Sequence, residues 1–220
     1  MRFTWKSGSA PRPSSGDGGK SKVTEPIVTL GVDSRFPTLG NDGPYGDCAV
    51  VADSNIVRID HILGTVKSVP SMTTNEALSE WSAINGGTGG GLSDPQLLHA
   101  WSGSGGLLGT RIRGWRLLNP QNVAAIKKAI TVSGAIYAGI VLPSAGVVGT
   151  TIDPALTANS QVAGHGLAIF GWTPSGFLGI SWGEIVLLPY SWWTQFSTTA
   201  YAVNIIRPST HTTKSKTAKR

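Results

Sequence analysis

The stretch NDGPYGDCAVVADSNIVRIDHILG, Asn41 to Gly64, decides how the rest of the chain is read. It joins a turn rich in Gly and Pro to an apolar run, and it places the single cysteine of a 220-residue chain at the junction. Asp47 has a side chain suited to an N-cap and Gly64 is a natural stop, so the spacing predicts a helix from Cys48 to Leu63. Ala49, Val50, Val51, Ala52, Ile56, Val57, Ile59, Ile62 and Leu63 cover far more than one stripe, which predicts a central helix buried on most sides. Cys48 then lies in the first turn, where unpaired N–H groups and the helix dipole stabilise an anion. That position favours the thiolate, while the neighbouring Asp47 carboxylate opposes it. The competing reading of Cys48 is an inert core thiol among Ala and Val.

Working outward, the first half of the chain punctuates like helices. Thr73 with Glu76 forms a capping box for a helix through about Ile84, and the loop NGGTGGG ends it. Asp94-Pro95 opens a third helix to about Trp101, and Asn119-Pro120 a fourth that ends before Gly134. After Gly134 the texture changes to short runs bounded by Gly, Pro and Ser: AIYAGIVLP, GLAIFGW, FLGISWG, EIVLLPY and AYAVNIIR. These read as strands, and their close spacing suits antiparallel neighbours. Helices first and strands second predict an α+β protein, with a helical half over about 41–133 and a β half over about 134–206.

Charge is distributed unevenly. The formal net charge is +6, yet residues 1–22 carry +4 and residues 207–220 carry +5, which leaves the body, 23–206, at −3. Both tails are rich in Ser, Thr, Gly and Pro and are expected to be flexible basic arms outside the core. They are either solvated or docked on a partner with an acidic surface; a mildly acidic body argues against specific nucleic-acid binding. A lone cysteine allows no intramolecular disulfide. The N-terminus lacks the apolar core of a secretory signal, and no run approaches the length of a membrane span. The expectation is a protein without a signal peptide and without a membrane partner, in the cytoplasm or attached to a virion.

A thiolate nucleophile needs a base. His61 and His99 fall late in predicted helices and His211 lies in the C-terminal tail, whereas His165 sits in VAGHGLAIFGW, between glycines at the head of a strong strand. A histidine on a strand can face a helix N-terminus across a cleft, so Cys48 and His165 are candidate nucleophile and base. The competing reading of His165 is a turn histidine hydrogen-bonded for structure. The eight tryptophans, SWWTQF included, are expected to pack the core or shape a cleft. Arg111 and Arg113 in RIRGW would share one solvated side of an extended segment. NGGTGGG lacks the Lys-Ser/Thr ending of a phosphate loop. Paired ligands at metal spacing are absent from the sequence, so neither metal nor cofactor is expected.

Taken together, NDGPYGDCAVVA, GHGLAIFGW and GISWGEIVLLPYSWW resemble the three blocks of papain-like cysteine peptidases, in that family's chain order. The resemblance implies a papain-like fold led by the nucleophile helix, a Cys48/His165 pair and a peptide or protein substrate. It spans about Asn41 to Ile206. Trp182 matches the family's shielding tryptophan. Three departures stand out: Ala49 follows the nucleophile in place of Trp; Asn41, seven residues before Cys48, is the nearest amide to serve as oxyanion donor; and ungapped matching of ISWG to NSWG puts Ile180 where the family has the Asn that orients the histidine. Ser181 is the adjacent hydroxyl, but neighbours on a strand face opposite sides, so it is expected to point away. A dyad without its orienter implies weak or specialised hydrolysis or transfer of amide bonds. The alternative is a non-catalytic structural or interaction protein of a phage particle on the same scaffold, since similar GDC and WG blocks resemble those of actinobacterial and phage proteins.

Overall fold

The computed structural model describes residues 46–63, 73–87, 89–143, 162–181 and 183–206. Helix α1 spans Cys48–Leu63, and every residue from Ala49 to Ile59 is buried, four polar ones among them. The expected all-round burial is met because α1 is covered by other helices on one side and by the sheet on the other. Helix α2, Thr74–Asn85, starts in the predicted Thr73/Glu76 capping box and ends on Gly86 in the left-handed region. In α3, Asp94–Ser102, the cap is Ser93 rather than Asp94: the Ser93 hydroxyl accepts the Gln96 N–H, and Asp94 becomes the first helical residue. Helix α4, Val123–Ser133, is capped by Asn122, three residues later than Asn119. Asn119 instead holds the preceding turn, accepting the Gln121 N–H on its side chain.

Six strands form one antiparallel sheet in the order β1-β6-β2-β3-β4-β5. They are β1 (Arg111–Leu118), β2 (Ile136–Pro143), β3 (Val162–Trp172), β4 (Gly176–Ser181), β5 (Glu184–Pro189) and β6 (Ser197–Ile206), with helix α5 (Tyr190–Phe196) before β6. RIRGWRLL is thus an edge strand paired with β6, placed in sequence between α3 and α4. Its register shift at Ile112/Gly114 and its mixed burial leave no clean two-residue alternation. Arg111 and Arg113 are exposed on either side of buried Ile112, as the extended reading expects.

Each sheet face has its own core. One unites α1, α2 and α3 with Tyr137, Ala168, Phe170, Ile180 and Val203. The other packs α4 and α5, through Ile126, Ile130, Trp192 and Trp193, on Ile136, Leu167, Ile169, Phe177 and Val186. The tryptophans of SWWTQF are therefore core residues. Trp193 also spans elements, giving its indole N–H to the Pro120 carbonyl at 2.7 Å. Among the described residues no helix is long and apolar enough to cross a membrane.

Candidate active site

Cys48 opens α1, and α1 lies against β3 where β3 carries Gly166. The Gly166 N–H donates to the Cys48 Sγ at 3.4 Å, joining positions 118 residues apart. Glycine is needed for this approach: a Cβ at Gly166 would stand 3.2 Å from the Ala49 Cα and 2.7 Å from the Tyr137 Oη. The sulfur consequently meets the strand one residue from His165.

The partner of His165 overturns a sequence expectation. Its Nε2 lies 2.6 Å from the Ser181 Oγ, and both residues are buried. Alternation along the strand holds; what the ungapped match assigned wrongly was the side. Ala168 pairs with Ile180, so in an antiparallel ladder Ser181 comes opposite Leu167, diagonal to His165 and on the same face. Ile180 belongs to the other face, packed in the core that contains α1, and it cannot orient the imidazole. Ser181 is therefore the side chain beside the His165 ring, and Ile180 is a core residue. Asn41 and Trp182 lie outside the described residues.

Electrostatics shift both groups toward their neutral forms. Burial raises the Cys48 thiol above its ordinary value, and the Asp47 charge adds to this, while the N–H groups of Gly166, Ala49 and Cys48 pull the other way. Burial pushes the His165 imidazole down to about 4. The helix start therefore does not produce a resting thiolate: desolvation outweighs the N–H groups, because a partly closed site denies the anion its hydration. Each group is thus shifted toward its uncharged form, the thiol for Cys48 and the neutral imidazole for His165.

On the α1 side of the sheet, Tyr137 donates its hydroxyl to the Asp94 Oδ1 at 3.0 Å and Thr199 donates to the Asp94 Oδ2 at 2.5 Å. No sequence signal marks this set, whose members come from α3, β2 and β6 and meet only in the fold. The NGGTGGG loop is structural in part, since the Gly90 carbonyl accepts the Trp81 indole N–H at 3.0 Å. No group of three or more His, Cys, Asp or Glu among the described residues is placed to hold a metal ion.

No protein-family model matches the sequence, and no curated protein matches it. Solved structures do. One is the Carica candamarcensis cysteine protease CMS1MS2, determined in complex with E-64, which is 16% identical with a TM-score of 0.54 over 77% of this chain and 93% of that chain. At such an identity the likeness is one of fold. Together with the helix-led α+β layout and its antiparallel sheet, it shows that this chain has a papain-like fold.

Proposed function

We propose that the protein is a thiol hydrolase or acyltransferase acting on amide bonds, with Cys48 as nucleophile, His165 as general base and Ser181 as the group that orients His165. The observation that carries this reading is the junction at Gly166, where the sulfur takes the Gly166 N–H and the preceding strand residue, His165, is held through Nε2 by Ser181; because His165 and Ser181 share the sheet face opposite the α1 core, the imidazole has to reach the sulfur past the edge of β3. With Nε2 carrying its proton toward the Ser181 Oγ, Nδ1 is the basic nitrogen. As the Cys48 sulfur attacks a carbonyl carbon, its proton passes to Nδ1. The imidazolium then returns that proton to the leaving amine nitrogen as the C–N bond breaks, leaving a thioester. A water, or an amine in the transfer reaction, gives its proton to Nδ1, adds to the thioester and releases the Cys48 thiol. The Cys48 backbone N–H is suited to hold the developing oxyanion, and Asn41 remains a candidate second donor.

A serine hydroxyl cannot balance an imidazolium with a negative charge, and both groups are shifted toward their uncharged forms, so slow or specialised turnover is expected. Incubation with activated ester and amide substrates, read by intact-protein mass spectrometry, should show one acyl group. It should be absent in Cys48→Ala and strongly slowed in His165→Ala. Ser181→Ala should lower the acylation rate by about 10-fold or more, consistent with loss of a positioned base. If wild type and Cys48→Ala stay equally unacylated while folded, the protein is a papain-like scaffold, and the structural or interaction role takes the place of catalysis.

A further inference from the structure

One corner of the sheet gathers positive charge. Strand β1 lies at an edge, paired among the described residues with β6 alone, and it contains Arg111, Arg113 and Arg116, three of the eight Lys and Arg of residues 23–206. All three are exposed. Arg111 pairs with Ile206 and Arg116 with Ala202. Ala202 packs on the core that holds α4 and α5, and Ile206, an even number of residues along the strand, is on the same face. Cross-strand partners share a face, so Arg111 and Arg116 stand on that side of the sheet. Between them comes Gly114, opposite exposed Asn204, and a Cβ on Gly114 would meet nothing within 4 Å. The ground between the two arginines is therefore open. Arg113 is the extra residue at the register shift between Ile112 and Gly114.

The elements around these arginines supply no counter-charge: β1, β6, α4 and α5 contain no acidic residue. Arg111 gives one hydrogen bond to the Ser102 carbonyl at 3.3 Å. Among the described residues Arg113 and Arg116 have no hydrogen-bond or ion-pair partner. Chain connectivity adds to the same corner. Ile206, the partner of Arg111, ends β6, and the next residue is Arg207, the first of a segment, 207–220, that carries +5. Three cations on the strand and five on the segment that leaves beside it thus belong to one corner of a body whose own net charge is −3.

We propose that this corner binds nucleic acid through its phosphate backbone, without sequence preference. The proposal is independent of the chemistry assigned to Cys48. Guanidinium groups present a rigid fork of donors that matches phosphate oxygens, and those of Arg113 and Arg116 are uncommitted. A protein partner fits the corner less well. The ground between Arg111 and Arg116 is glycine and asparagine, without the aromatic or aliphatic pocket that anchors a protein interface. The register shift and the charged side chains also blunt the edge against the addition of a further peptide strand. Interfaces with nucleic acid are polar and strongly positive, which is what this corner offers. The competing account is that the arginines only keep the edge solvated and unpaired, in which case they contribute nothing to the binding of a polyanion.

The test is fluorescence anisotropy of the full-length protein with a labelled duplex DNA of mixed sequence, titrated between about 50 and 200 mM salt. Wild type should bind at the low end and lose affinity steeply as salt rises, because each neutralised phosphate releases counterions. The triple variant Arg111→Gln, Arg113→Gln, Arg116→Gln should bind about 10-fold or more weakly at low salt, and its plot of log affinity against log salt should be shallower by about 2–3, at roughly 0.9 per phosphate contact. Lys6→Gln, Lys20→Gln, Lys22→Gln removes the same charge from the other end of the chain and should cost no more than about threefold. Should the arginine triple not fold, Arg116→Gln alone must still lower the slope by about 1. Three results would each overturn the proposal: no binding of wild type at low salt, equal weakening by the arginine and lysine triples, or polyglutamate displacing the duplex as well as unlabelled duplex does at equal charge. The last of these would make the partner an acidic protein.

Discussion

The imidazole of His165 couples the chemistry of the site to the stability of the fold. Burial lowers it to about 4 from 6.5. At about 1.4 kcal/mol per pH unit, that difference amounts to about 3 kcal/mol. The group's folded value is depressed, so above pH 6.5 both folded and unfolded chains hold it neutral and the contribution is fully present. As pH falls from 6.5 toward about 4, the unfolded chain takes up a proton that the folded one refuses, and stability is lost through that window; below about 4 the loss stops. The perturbation is His165→Gln, which keeps an N–H for Ser181 and does not titrate. Urea unfolding of wild type and variant between pH 4 and 7.5 gives a stability difference in which carboxylate titrations common to both proteins cancel. That difference should move against the wild type by about 3 kcal/mol between pH 7 and pH 4. A difference independent of pH would refute the argument. A shift toward the wild type at low pH would mean that the folded protein holds an imidazolium, hence a resting ion pair with Cys48.

Two further variants probe the geometry around the sulfur. Gly166→Ala should cost about 1–3 kcal/mol, the range for overpacking, because the new methyl meets the Ala49 backbone and the hydroxyl of Tyr137 held by Asp94; chemical unfolding measures the loss, and wild-type stability would show that α1 does not rest on β3 at this point. Ile180→Asn should destabilise by about 3 kcal/mol or more, from lost apolar burial and an unsatisfied amide, and should not raise the acylation rate, since position 180 faces the α1 core and not His165. A folded Ile180→Asn protein that acylates faster than wild type would show that the β3–β4 register differs from the one described.

Much of this protein is written in local sequence. The bounds of α1, the capping box of α2 and the strands after Gly134 follow from signals a few residues long, because a helix end or an apolar run needs only its neighbours to be satisfied. The spread of the apolar residues of α1 over more than one stripe likewise marks it as central before any contact is known. The nearest caps are harder to read: Ser93 and Asn122 win over Asp94 and Asn119 by one and three residues, as several cap-forming side chains compete in one short stretch. What only the tertiary structure decides is which side of the sheet a residue occupies. Ser181 and Ile180 are neighbours in the chain, and one step of register between β3 and β4 sends the first to His165 and the second to the core. The pleat has a period of two, so an ungapped match that is off by one residue inverts every assignment. The edge strand β1 and the Asp94–Tyr137–Thr199 set are equally silent in sequence, since their partners are distant along the chain. The protonation of Cys48 belongs to the same class: the helix start at position 48 argues for a thiolate, and the burial that argues against it exists only once β3 closes over the sulfur.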